Sequence, residues 1–95
     1  EPALGARPDL EALDLVAVMG LSEEAFRRRF KGTALYRSKR RGLLRNAAIV
    51  LGNQGDPTVL PVLEKALADA EPLVREAAEW AIARIRSLSP IETNT

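Results

Sequence analysis

The chain contains no cysteine and no histidine in 95 residues. Without thiolates or imidazoles it lacks the usual ligands of zinc, iron–sulfur clusters and haem, and it has no Ser–His or Cys–His nucleophile system. Aromatic residues are only 4% of the composition against 46% hydrophobic residues, so a core has to be built from Ala, Leu, Val and Ile at helix spacing. That favours an all-α fold. No stretch nears the roughly 20 apolar residues of a membrane span, and Glu1, Asp9, Glu11 and Asp14 stand where a signal peptide needs a basic start and an apolar run. The chain reads as soluble, with no membrane partner, and the lack of cysteine fits the reducing cytoplasm. Its length supports one small domain. Starting on Glu1 rather than Met, it reads as an excised piece of something longer.

Acid is missing from one particular place. The stretch FRRRFKGTALYRSKRRGLLRN, residues 26–46, holds Arg27, Arg28, Arg29, Lys31, Arg37, Lys39, Arg40, Arg41 and Arg45 and not one Asp or Glu. The net charge of +1 hides this: nine of the 14 basic residues lie here, so the remaining five face all 13 acids and the rest of the chain sums to −8. Such charge segregation is the footprint of a surface that meets a polyanion, although a basic run can also be a solvated face or a protein contact.

Residues 1–8, EPALGARP, have two Pro, one Gly and no period, and read as a linker remnant. Asp9 is placed to cap a first helix whose face is Leu10, Leu13, Val16, Val18 and Met19, ending at Gly20. Ser22 caps a second, with Glu23 and Glu24 at its positive end and Arg27 to Lys31 at its negative end before Gly32. Phe26 and Phe30, at i and i+4, share its buried side. A connector, 33–38, leads to a third helix from about Lys39 to Leu51, apolar over most of its circumference and therefore central. Gly52 to Pro57 reads as a stop and a new start, with Asp56 as cap and Pro57 at the first helical position. A fourth helix covers about 58–68, with Pro61 tolerated in its first turn. Pro72 opens a fifth that reaches Leu88 on a stripe of Val74, Ala77, Ala78, Ala81, Ile85 and Leu88. Residues 89–95 read as a frayed, disordered tail.

Two segments repeat. LLRNAAIVLG (43–52) and LVREAAEWAIA (73–83) share an Arg-x-Ala-Ala core offset by 30 residues. Helix pairs recurring at this period form α-solenoids, because each pair buries its apolar face only against the next. The expected architecture is a short HEAT-like α-solenoid of about five helices over residues 9–88, with 9–38 as an N-terminal helical cap and 39–88 as the repeat helices.

The residues also carry a family resemblance. Phe26-(x)3-Phe30-x-Gly32-Thr33, then Arg40-Arg41-Gly42-Leu43-Leu44-Arg45-Asn46-Ala47-Ala48-Ile49-x-Leu51-Gly52-Asn53-x-Gly55-Asp56-Pro57, followed by a HEAT-like second pair, resembles the C-terminal region of epoxyqueuosine reductases. The likeness covers about residues 9–86 and is densest in 26–57. It implies an enzyme that reduces epoxyqueuosine to queuosine in tRNA, using cobalamin and two [4Fe-4S] clusters. The clusters need Cys ligands, so the resemblance implies that the catalytic domain lies upstream and that this portion holds no cofactor and no catalytic residue. In the family the HEAT-like end helps to hold the tRNA anticodon stem-loop.

The candidate RNA contacts are Arg37, Lys39, Arg40 and Arg41 at the entrance of the third helix, with Arg27, Arg28 and Lys31 extending the surface. Arg45 shares a side with Arg41 at i, i+4, but both Arg45 and Arg75 are also placed to pair with Asp56 or Asp69 in a ladder tying the repeats. Tyr36 reads as a core anchor before a base-stacking group, and Trp80 as packing against a neighbouring helix or an upstream domain. Glu76 and Glu79 read as solvated helix surface. The competing class is a protein-interaction solenoid of the kind found among HEAT-like repeats of bilin lyases and scaffold proteins.

Overall fold

The computed structural model describes residues 13–88; the linker expected at 1–8, the cap expected at Asp9 and the tail expected at 89–95 lie outside them. Within the described residues the chain forms five α-helices and two short 3-10 turns, with no strand. The first helix, α1 (Leu15–Met19), opens on Asp14, whose carboxylate accepts hydrogen bonds from the Val16 and Ala17 amides at 3.1 and 3.3 Å. In α2 (Glu23–Phe30) the Ser22 hydroxyl accepts from the Ala25 amide at 3.1 Å. The two glutamates of its first turn and the three arginines of its last follow the helix dipole. Phe26 and Phe30 are buried, their rings 5.4 Å apart.

The connector is a 3-10 turn, Ala34–Ser38. Tyr36 lies half-buried and stacked on Phe26, with ring centroids 5.7 Å apart and planes 12° from parallel, so it pins the connector to the cap. The third helix, α3 (Lys39–Gln54), runs three residues beyond the expected Leu51. Gly52 does not end it. The left-handed residue is Gly55, at φ 74°, whose amide returns to the Leu51 carbonyl. Gly52 instead sits inside the helix where α5 crosses: a Cβ there would stand 2.9 Å from the Ala81 Cα and from Trp80 Cζ3.

Asp56 caps the next start as expected, accepting from the Thr58 amide and hydroxyl. The expected helix at 58–68 is divided into a 3-10 turn, Pro57–Val59, and α4 (Leu60–Ala66), with Pro61 in the first turn of α4. Pro72 opens α5 (Pro72–Ser87). Its stripe of Val74, Ala77, Ala78, Ala81 and Ile85 is buried together with Ile82, whereas Leu88, expected on that stripe, is exposed just past the helix end. The α3 helix packs chiefly on α5 and also holds α1, and α4 packs on α5. That makes α3 the centre of a short all-α solenoid-like stack. Leu43, Leu44, Leu63 and Ile85 are fully buried, and each such side chain contributes about 2 kcal/mol by leaving water.

Candidate nucleic-acid interface

Alternate residues at the start of α3 point to different surroundings. At 3.6 residues per turn Arg40 lies about 100° around the helix from Arg41 and about 140° from Arg45. Arg41 and Arg45 are exposed. Arg40 is not: extending the buried stripe of Leu51, Ala47 and Leu44 back by four residues lands on Arg40, and its side chain retains only 14% of its exposure. Its Nε donates to the Leu21 carbonyl at 2.7 Å, and its Nη1 and Nη2 both donate to the Asp69 carboxylate, the former at 3.1 Å. Asp69 also accepts the Glu71 amide at 2.9 Å, and its backbone carbonyl accepts from Arg75 Nη1 at 2.7 Å.

This seam joins the cap, the first turn of α3 and the α4–α5 loop. The hydrogen bonds from Arg40, more than the nearby charge, hold the Asp69 carboxyl below the usual carboxylate range, and the same pair raises the guanidinium above its ordinary value. Arg40 was expected among the phosphate contacts, but three of its five N–H donors are engaged inside the molecule, by the Leu21 carbonyl and the Asp69 carboxylate. The ladder expected of Arg45 and Arg75 with Asp56 or Asp69 does not form; the ion pair that ties the repeats is Arg40 with Asp69. Arg75 reaches only the Asp69 backbone, Arg45 donates to Asn46 Oδ1 at 3.1 Å, and Asp56 is occupied with Thr58. The apolar register of α3 carried the signal that separates Arg40 from Arg41.

The other basic residues of the strip remain at the surface. Arg27, Arg28, Arg29, Lys31, Arg37, Lys39, Arg41 and Arg45 are all exposed, and among the described residues the single ion pair within this set is Arg28 with Glu24, at 3.7 Å and largely solvated. Such a pair is worth little. Arg29 lies over the Phe30 ring, 5.1 Å from its centroid. Two hollows border the strip. Arg27 and Lys39 line a hollow of about 170 Å³ together with Glu23, Phe26 and Tyr36. On the other flank Arg45 borders an open groove of about 300 Å³ between α3 and α5, which also contains Trp80.

The opening of α3 is electrostatically costly as it stands. Lys39, Arg40 and Arg41 occupy a first turn with no acidic residue and no side-chain cap, where the positive end of the helix dipole disfavours cations. Lys39 has φ 63° and ψ 163°, a conformation that is nearly confined to glycine and is strained for a residue with a Cβ. An anion at this turn would relieve the electrostatic cost, since unpaired helix N–H groups and cations both point to negative charge.

Comparison with known proteins places this architecture. HEAT repeats match residues 32–93. The chain belongs to the HEAT-repeat family. It is also 40% identical over 85 residues to the epoxyqueuosine reductase of Xanthomonas campestris pv. campestris, covering 88% of this chain and 24% of that protein. It is 34% identical over 91 residues to that of Shewanella oneidensis, covering 93% and 23%. The epoxyqueuosine reductase of Pseudomonas aeruginosa is 40% identical over 81 residues, covering 82% and 22%. The resemblance read from the Phe26 to Pro57 motifs is thus matched by named relatives, and the HEAT-repeat chain spans about a quarter of their length. No solved structure matches it.

The residues present do not fit the iron–sulfur clusters that the resemblance implies. Cluster ligation needs thiolates, the sequence has no Cys, and no group of metal-ligating side chains occurs among the described residues. Nor is any described helix long and apolar enough to cross a membrane.

Proposed function

We propose that this HEAT-repeat chain is the RNA-docking module of an epoxyqueuosine reductase, holding the anticodon stem-loop of a tRNA while the reduction is carried out by a catalytic domain elsewhere in the parent protein. The observation that carries the reading is the run of eight exposed cations on α2, the connector and α3, of which only Arg28 has a described carboxylate partner. Arg37, Lys39 and Arg41 grip phosphates at the first turn of α3, Arg27, Arg28 and Lys31 extend the track along α2, and Arg45 continues it toward α5. Arg40 serves by holding that turn against the cap and the α4–α5 loop. Condensed counterions released from the RNA supply most of the affinity. The named relatives support the link to queuosine chemistry, and the chain's own residues carry no redox step.

Salt dependence tests this directly. Binding of an anticodon stem-loop, followed by anisotropy against salt concentration, is expected to weaken steeply. Combined charge reversal at Arg37, Lys39 and Arg41 reduces the log–log slope by about 2 to 3, at roughly 0.7 to 0.9 per phosphate, with the helical circular dichroism retained. Reversal at Arg75, which bonds the Asp69 carbonyl, serves as a control outside the track. Stem-loop binding that ignores the triple reversal sinks the reading. A tight protein partner with flat salt dependence moves the chain to the interaction-scaffold class.

A further inference from the structure

The groove between α3 and α5 has a composition that the phosphate track does not explain. Trp80 lies across α3 at Gly52, where the missing Cβ makes room for Cζ3, yet the residue keeps 44% of its exposure. Beside it are half-buried Ile49 and exposed Leu73. Arg45 stands on the α3 wall, Arg41 lies one turn before it, and Glu76 stands on the α5 wall. An aromatic ring supported on one helix and wet at the groove, next to a guanidinium, is the combination used to hold single-stranded nucleic acid. The cations follow the backbone and the ring accepts a base.

The geometry points to a groove that seats one unpaired base of a single-stranded RNA segment, stacked on Trp80, with the flanking phosphates on Arg45 and Arg41. This inference rests on the RNA-docking reading and refines it. Glu76 decides which part of the nucleotide enters: its carboxylate repels a phosphate, so the backbone stays on the α3 wall and the base turns toward the apolar floor. The open groove of about 300 Å³ is compatible with a planar ring entering from the solvent side. A base paired in the interior of a duplex cannot reach Trp80, because both of its faces are already stacked. The groove therefore distinguishes loop from stem, which the phosphate track alone does not.

Trp80 is the sole tryptophan, so its emission reports this groove and nothing else. The chain is titrated with a short single-stranded oligoribonucleotide and, separately, with an RNA duplex long enough that its two stackable ends are a small fraction of its sites, with anisotropy of fluorescein-labelled RNA reporting binding and Trp80 emission against unlabelled RNA reporting stacking. Both RNAs are expected to bind, and only the single strand quenches Trp80. Trp80→Leu lowers single-strand affinity about tenfold and leaves duplex affinity unchanged, while Trp80→Phe keeps most of the affinity. Circular dichroism checks that both variants remain folded, and the pair separates loss of stacking from loss of packing. If the single strand binds with Trp80 emission unchanged and Trp80→Leu binds it as tightly as the parent chain, the groove is not a base site, although the docking reading stands. If neither RNA binds, the docking reading falls and this inference with it. A concentration-dependent blue shift of Trp80 accompanied by dimer formation in ultracentrifugation assigns the groove to a second copy and overturns the proposal.

Discussion

The helices α3 and α5 share a length of 16 residues and an Arg-x-Ala-Ala core, and they pack against each other, yet they open in opposite ways. Pro72 starts α5 at a position where a missing amide costs nothing and φ is already helical. Its Glu76 and Glu79 stay solvated, and Arg84 and Arg86 in its last turn suit the dipole. By contrast α3 starts on a Lys in a glycine-type conformation, followed by two arginines at the wrong end of the dipole. Both helices bury their paired alanines. The shared part is therefore what the stack requires, Arg40 ties the opening of α3 to the seam, and the exposed cations Lys39 and Arg41 are what the stack does without. A feature that opposes local stability in one copy and is absent from the other calls for a role outside folding.

The sharpest way to break this comparison lies between neighbours. If Arg40 belongs to the fold and Arg41 to the surface, Arg40→Ala costs about 3 kcal/mol, as expected for leaving a mostly buried carboxylate unpaired, while Arg41→Ala stays within about 0.5 kcal/mol. Urea unfolding of the two variants measures both. The pair also sets the acid limb of stability. Because the folded Asp69 carboxyl lies below its unfolded value of about 3.9, its contribution is complete above that pH and is lost as pH falls through the lower folded value. Arg40→Ala should flatten that limb. Equal costs for the two arginines would mean that the seam does not form in solution.

A smaller effect is expected where α3 and α5 cross. Gly52→Ala gains about 1 kcal/mol of helix propensity but drives a Cβ into the Ala81 backbone, and overpacking of this kind costs about 1 to 3 kcal/mol. The net loss is about 1 kcal/mol, together with a changed Trp80 emission as the groove widens. Thermal unfolding followed at Trp80 measures both at once, and a stabilised Gly52→Ala would show that the helices do not approach closely there.

The same crossing marks how far the sequence could be read. The N-caps at Ser22 and Asp56, the starts at Pro57 and Pro72 and the buried Phe26–Phe30 pair were legible because each depends on residues within a turn or two. The end of α3 was not, since Gly52 and Gly55 are equally good local stops and only the arrival of Ala81 selects the first for close packing. The exposed cations were legible as a strip but not as separate environments, because Arg40 finds Asp69 across 29 residues of chain. Trp80 was legible as a packing residue, whereas its exposed side follows from the spacing of two helices.

The smallest effect bears on why α3 opens as it does. Lys39→Gly removes a strained conformation worth about 1 to 3 kcal/mol at the expense of glycine's chain entropy of about 0.5 to 1 kcal/mol, for a net gain of about 1 kcal/mol. In a domain of this size that raises Tm by about 4 to 8 °C. Lys39→Ala keeps the strain and deletes the same charge, so it gains only about 0.3 kcal/mol, the cost of a cation at this end of the dipole, and its Tm stays below that of Lys39→Gly. For RNA the two variants should behave alike, each reducing the log–log salt slope by about 0.7 to 0.9 for one lost phosphate contact. Pro72→Gly, at the equivalent opening of α5, has no strain to relieve and lowers Tm through the greater freedom of the unfolded chain. A Lys39→Gly chain that is more stable than Lys39→Ala and binds RNA equally well shows that the strain is separate from the phosphate contact, whereas one that binds more weakly than Lys39→Ala ties the strain at this turn to binding. One that is no more stable than Lys39→Ala shows that the backbone of Lys39 is relaxed in solution, and the contrast between the two helix openings then reduces to charge alone.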